Sequence, residues 1–328
     1  MFNVALLAVQ NCMYSSLTGP FDVFSVAAGQ AEQLAEQPGS PLFHPIIVGP
    51  DGREIRAFNG MPIPLGATFA AATVYDIVLV PVIFGDLAAI LADRETINWL
   101  DHQGRMGACL CSACAGSFLI AETGRLNGRT ATTHWNLADS FAKRFPQVIL
   151  KREKMLVDEG DCITAGGVSA YLDLALYLTA RFGSPELAAL LSKMLLIDPA
   201  RRLQSPYQAS VFNKKHGDQA VLHIQNRLEE DPGRLQGIAD LAKKAGLGER
   251  TLMRRFKKAT GDSPLEYLQR LRIETARKLL ETSIESVEEI TVRAGYADVS
   301  SFRKLFKRHT GLSPSAYRKR FACRLPMF

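Results

Sequence analysis

The chain has 328 residues, is 47% hydrophobic and 22% charged, and carries a formal net charge of +6. It is long enough for two domains with real cores, and its composition is that of a soluble globular protein. The opening MFNVALLAVQ lacks a basic n-region and reads as a strand, IVLVPVIF at 77–84 is far too short to span a membrane, and six cysteines without paired spacings read as reduced thiols in a cytoplasmic protein.

Short apolar runs at Asn3–Val9, Pro45–Val48, Ile77–Val82, Met106–Leu110 and Cys162–Ala165 predict strands ending near Gly, Pro or Asp. Amphipathic stretches at Thr18–Ala31, Glu95–His102, Gly116–Glu122, Trp135–Phe145, Val168–Arg181 and Pro185–Leu196 predict the helices. This alternation implies a mostly parallel sheet covered on both faces, a flavodoxin-like, three-layer α/β domain over residues 1–197.

Cys114 lies in CSACAGSFLIAETG, just after the strand expected to end near Leu110. Strand, sharp turn, then helix is the setting of a nucleophile elbow, and a thiol at a helix N-terminus gains thiolate character. His134, in ATTHW, is its candidate base. Ligands collect at the carboxyl ends of strands in open parallel sheets. Cys114, His134, Trp135, Phe84 and the loop 10–16 with Tyr14 and Ser16 are expected to converge there, with Tyr14 and Trp135 offering ring faces to a cationic head group. Other readings compete: a merely buried Cys114, a redox pair Cys111-x-x-Cys114, or a metal site with Cys109, for which one cluster is too little. We expect neither metal nor cofactor.

Residues 198–217 are polar, without a clear period, and read as a linker; residues 218–328 read as wholly helical. The charge divides with the texture. Residues 1–195 hold 13 Lys and Arg against 18 Asp and Glu, net −5, and residues 196–328 hold 26 against 15, net +11. A polyanion partner is therefore expected for the second part alone. That part contains one motif twice: AGLGERTLMRRFKKATGDSPLEY from Ala245 and AGYADVSSFRKLFKRHTGLSPSAY from Ala294. Such self-similarity signals a duplicated supersecondary unit.

In the first copy, Leu235–Ala245 is expected to form a supporting helix with Ile238, Leu241 and Ala242 on one face, ended by Gly246. A second helix over Glu249–Thr260 turns Leu252, Phe256 and Ala259 inward and Arg250, Met253, Arg254 and Lys257 outward. Such a helix fits the major groove, with arginine forks for guanine edges and Lys257 and Lys258 for phosphates. The second copy repeats the design: Val287, Ile290, Ala294, Phe302, Leu305 and Phe306 inside; Val299, Ser300, Arg303 and Lys304 outside; Lys307, Arg308 and His309 following. Between them Pro264 to about Glu281 is expected as one helix, roughly 27 Å long, able to hold two recognition helices near the ~34 Å repeat of a duplex.

The stretch 222–321, above all VEEITVRAGYADVSSFRKLFKRHTGLSPSAYRKRF, resembles the AraC/XylS family of transcriptional regulators. The resemblance implies base reading by Arg250, Met253, Arg254, Val299, Ser300, Arg303 and Lys304. GPFDVF at 19–24, CSACAGSF, TGRLNGRTATTHW and ITAGGVSAYLDLAL resemble the class I glutamine amidotransferase-like superfamily in its PfpI branch, in the subset fused to AraC domains, the GlxA-type regulators. Cys114 and His134 match that superfamily's reactive pair. The acidic residue that members carry four positions before the proline of the GP motif is replaced by Ser16. The pair is thus expected to be vestigial and the domain a sensor, not an enzyme.

The resemblance implies a cytoplasmic homodimer, joined through its first domain, that binds a small nitrogenous inducer, promoter DNA and RNA polymerase and acts as an activator. The alternatives are a cysteine-dependent hydrolase or glyoxalase-type enzyme, and a thiol redox sensor using Cys114.

Overall fold

The computed structural model describes residues 1–34, 42–199, 201–210, 212–233 and 237–322. It divides into two compact units, Met1–Gln204 and Ser205–Phe328.

The first unit runs β1 (Phe2–Leu7), α1 (Ser15–Leu34), β2 (Phe43–Gly49), β3 (Ala67–Thr68), β4 (Ile77–Val80), α2 (Leu87–Leu91) and α3 (Arg94–Arg105). It continues with β5 (Cys109–Ala113), α4 (Ser117–Glu122), β6 (Thr130–Ala131), α5 (Ala138–Arg144), β7 (Ile149–Leu150), β8 (Leu156–Asp158), β9 (Cys162–Ala165), α6 (Ala170–Phe182) and α7 (Pro185–Met194). Seven strands form one sheet in the order β3-β2-β1-β4-β5-β9-β8, parallel except for β8 against β9. Strands β4, β5 and β9 are buried at every residue, as a sheet covered on both faces requires. Helices α1, α6 and α7 pack together, and α3 and α4 pack together against β4 and β5. The strand order reverses at β1, whose neighbours are β2 and β4; in open parallel sheets of this kind ligands collect at the carboxyl ends of the strands at such a reversal.

Three details differ from expectation. The strand expected over Met106–Leu110 starts at Cys109, because Gly107, at φ +100°, makes the turn out of α3. The short strands β3, β6, β7 and β8 carry too few residues for a period to register. The helix expected over Trp135–Phe145 begins as a 3-10 turn over Trp135–Leu137 before α5.

The second unit is helical in its regular elements: α8 (Gln219–Glu230), α9 (Ile238–Lys244), α10 (Glu249–Thr260), α11 (Pro264–Thr282), α12 (Val287–Arg293), α13 (Val299–Thr310) and α14 (Pro314–Phe321). It has two cores. Val221, Ile224, Leu228, Leu241, Leu252, Phe256 and Tyr267 build one; Ile273, Ala276, Leu280, Ile290, Phe302, Phe306 and Tyr317 build the other. Helix α11 contributes its first half to one lobe and its second half to the other. A capping box at Ser263 and Glu266 with Pro264 at the first turn starts it, and a second box at Ser286 and Glu289 starts α12. Leu235, where the first supporting helix was expected to begin, lies outside the described residues.

Candidate DNA interface and ligand pocket

Each lobe of the second unit presents one cationic helix. On α10, Leu252 and Phe256 are fully buried while Arg250, Met253, Arg254, Lys257 and Lys258 are exposed. With Ser263 and Glu266 these five residues line a shallow surface groove. No ion pair among the described residues occupies Arg250 or Arg254. The neighbouring Arg255 points the other way and holds Asp218, the N-cap of α8, through two bonds of 2.9 and 2.7 Å, which lowers the Asp218 pKa. One helix thus carries structural and free arginines on different faces.

On α13, Phe302 and Phe306 are buried, Ser300, Arg303, Lys304, Lys307 and Arg308 are exposed, and Val299 is half-buried. Asp298 caps the helix by accepting from Ser300 and Ser301 N–H. Arg303 reaches Glu288 at 2.8 Å, an exposed pair of small worth. Gly246 and Gly295 turn each supporting helix into its recognition helix at φ +64° and +83°. Duplication extends to the packing: Tyr267 stands edge-on to Phe256 and donates to Glu229, while Tyr317 stands edge-on to Phe306 and donates to Glu281, both at 2.7 Å.

In the first unit the elbow is real but its thiol is not activated. Cys114 adopts φ +55°, a left-handed conformation rare for a residue with a Cβ. Its carbonyl accepts from Ser117 Oγ at 2.9 Å and Thr133 Oγ1 at 3.0 Å. A Cβ on Gly116 would stand 2.5 Å from Pro81 O, so only glycine lets the elbow lie against the end of β4. The expected thiolate character is contradicted: burial pushes the Cys114 thiol up to about 12, against one backbone N–H, from Ala115, that lowers it. The side chain is 5% exposed.

The loop 10–16 and the segment after β4 meet: Met13 N–H donates to Val82 O, Phe84 N–H to Asn11 O, and Cys12 bridges Ile83. Ser16 is fully buried; its hydroxyl donates to Met13 O at 2.6 Å and accepts from Val82 N–H at 3.1 Å. Tyr14 packs half-buried against the core, and Phe84 is exposed beside Phe58. His134 is half-buried, its Nδ1 accepts from Asn136 N–H, its ring lies 5.2 Å from that of Trp135, and burial lowers its pKa. Thr133 ties this loop to Cys114, yet no hydrogen bond among the described residues joins Cys114 Sγ to His134. A cavity of about 200 Å³ beside the ends of β1 and β2 is lined by Gln10, Asn11, Arg53 and Asp93, not by Cys114 or His134.

Sequence reasoning missed Gln204, a buried polar side chain bonded beneath the loop 132–135. It sits in the polar stretch 198–217, where one glutamine carries no periodic signal. No group of three or more His, Cys, Asp or Glu suited to a metal occurs among the described residues. No helix among them is long and apolar enough to cross a membrane.

A family model described as the DJ-1/PfpI family matches residues 4–181, and one described as a helix-turn-helix domain matches residues 241–320. The HTH-type transcriptional regulator CdhR of Pseudomonas aeruginosa is 28% identical over 296 residues, covering 88% of this chain and 86% of that protein. The HTH-type transcriptional regulator GlxA of Rhizobium meliloti is 25% identical over 332 residues, covering 97% and 95%. A ThiJ/PfpI family protein from Pseudomonas syringae shares the fold at a TM-score of 0.51 and 22% identity, covering 74% of this chain and 88% of that one. With a flavodoxin-like α/β domain followed along the chain by two basic helix-turn-helix lobes, the chain belongs to the DJ-1/PfpI family and is a DNA-binding transcriptional regulator with an AraC-type helix-turn-helix domain.

Proposed function

We propose that this regulator is switched by a small nitrogenous metabolite bound to its first unit, and that it acts as an activator. The observation that carries DNA reading is the pair of duplicated helices whose arginines and lysines stay exposed while their aromatic faces are buried. Arg250, Met253 and Arg254 on one helix and Val299, Ser300, Arg303 and Lys304 on the other meet base edges, while Lys257 and Lys307 meet phosphates. Tyr14, Phe84, Cys114, His134 and Trp135 contribute to the ligand pocket; Ser16, its hydroxyl already bonded, shapes it through Val82. A neutral His134 suits a ligand bearing its own positive charge. Dimerisation through the first unit and contact with RNA polymerase complete the proposal.

Binding to DNA upstream of the adjacent operon, titrated by fluorescence anisotropy from low to high salt, tests it. Affinity should fall about 10³-fold or more between roughly 50 and 200 mM salt if six or more phosphates are neutralised. Salt-insensitive binding contradicts the interface. For the pocket, calorimetry with a panel of amino acids and quaternary amines should find one binder whose affinity drops on Trp135→Ala.

The enzyme reading keeps one supporting observation, the strained elbow at Cys114. The raised thiol pKa argues against it, as does a His134 whose Nδ1 accepts from Asn136 N–H and which shares no hydrogen bond with Cys114 Sγ among the described residues.

A further inference from the structure

Helix α11 passes from one core of the second unit to the other within a single turn: Leu271 belongs to the first lobe and Ile273 to the second. Arg272 stands between them and is 7% exposed. Burying a guanidinium is unfavourable unless its charge and its N–H groups find partners nearby. Here each lobe supplies one. Arg272 Nε donates to Pro232 O at 2.8 Å, in the loop that leaves α8. The guanidinium carbon lies over the ring of Tyr296, 5.4 Å from its centroid, in the turn between α12 and α13. A cation over a ring face is held more tightly where water is excluded. The Tyr296 hydroxyl has no hydrogen-bond partner among the described residues, so the ring is what Arg272 uses. Beside that ring stands Phe302, with centroids 5.4 Å apart, a core residue of the second lobe's recognition helix.

The lobes also touch at this point, backbone to backbone. A Cβ on Gly295 would stand 2.7 Å from Gly233 Cα, 2.9 Å from Gly233 O and 3.0 Å from Arg272 Nε. Gly295 is the residue that turns α12 into α13, and Gly233 follows the carbonyl that Arg272 holds. Gly246, the counterpart of Gly295 in the first lobe, has open space around it. The contact therefore belongs to the seam between the two copies and not to the repeated unit.

We propose that Arg272 is a positioning residue that holds the two DNA-reading lobes at one separation, and thereby selects the number of base pairs between the two halves of the operator. This rests on both recognition helices reading DNA, as proposed above. One added base pair shifts the next major-groove face by about 3.4 Å and turns it by about 35°. Lobes joined by α11 alone can follow such a change, because a long helix bends. Lobes tied as well through Pro232 and Tyr296, with two glycines in contact, cannot follow it without breaking the hydrogen bond or lifting the guanidinium off the ring.

Spacing preference is the readout, since a general loss of stability does not move it. A duplex selected by the full-length protein from a randomised pool is remade with one base pair added or removed between its two halves, and each is titrated by fluorescence anisotropy. The wild-type protein should lose about tenfold or more in affinity on either change. Arg272→Met keeps the stem and removes the guanidinium. It should bind the selected duplex less tightly than wild type, yet lose less than about threefold further on at least one of the two changes. Tyr296→Phe keeps the ring and should behave as wild type. Tyr296→Leu removes the ring from the second lobe and should match Arg272→Met; it decides alone if circular dichroism shows Arg272→Met unfolded. Variants that keep the wild-type spacing preference would mean that α11 by itself sets the separation, which overturns the proposal and leaves base reading intact. A wild-type protein indifferent to spacing would overturn the proposal and the two-lobe reading together.

Discussion

Two effects of opposite sign meet at Cys114. The dipole of a helix N-terminus is worth about 0.3–1 kcal/mol toward the thiolate. Burial that carries the thiol from 9.0 to about 12 is worth on the order of 4 kcal/mol against it. Burial wins, and the thiol stays protonated through the neutral range. Iodoacetamide should therefore label Cys114 slowly at neutral pH, with a rate still climbing above the ordinary cysteine range of about 8.5. Mass spectrometry of the Cys114 peptide across pH reads this, and a plateau below neutral pH would reinstate an activated nucleophile. The arginines divide by the same logic of solvation. Arg255 is committed to Asp218, Arg277 to the carbonyls of Ser205 and Gln208, and Arg254 to nothing in the described chain. Arg254→Ala should cost about 1–3 kcal/mol at a specific site and relax discrimination at one base pair. A loss of the same size on random DNA, measured by anisotropy, would make it a phosphate contact.

Between elements, the two helix-turn-helix copies are alike in design and unlike in tolerance. Gly246 is left-handed with open space around it. Gly295 is left-handed too, and a Cβ there would meet Gly233 Cα at 2.7 Å. Gly246→Ala should cost the left-handed penalty of roughly 1–2 kcal/mol, whereas Gly295→Ala should cost clearly more, because backbone must also move. Thermal unfolding followed at 222 nm compares them, and equal melting points would mean that Gly233 yields freely. Helix α11 sets how the copies are held. Its 19 residues rise about 28 Å, and Tyr267, Leu268 and Leu271 serve one core while Ile273, Ala276 and Leu280 serve the next.

For the whole molecule, the division of the chain matters more than its net charge. The first unit closes at Gln204, and residues beyond Leu196 complete it: Arg201 pairs with the largely buried Asp173, and Gln204 satisfies two backbone carbonyls. A fragment ending at residue 195 leaves that carboxylate and those carbonyls unmatched. It should be less stable than a fragment ending at Gln204 by more than about 3 kcal/mol in urea unfolding. Equal stability would show that the segment 197–204 contributes little to the fold.

Much of this protein is legible in its sequence. Periodicity within Glu249–Thr260 and Val299–Thr310 fixes which side chains are buried, because an amphipathic helix needs only one apolar face to know its orientation. The duplicated motif and the basic balance of residues 196–328 point to the DNA-binding half for the same local reason. The elbow at Cys114 is legible as small residues between a strand and a helix; the state of its thiol is not, since desolvation depends on what the rest of the chain stacks above it. Strand β5 starts later than expected because Gly107 takes a left-handed turn out of α3 that the sequence alone does not reveal. The place of Gln204 is invisible in one dimension: its side-chain partners lie 50 to 72 residues upstream, and only the closed fold brings them to one amide. Local order follows from the residues themselves, whereas burial, proton affinity and the pairing of distant polar groups are decided when the chain excludes water.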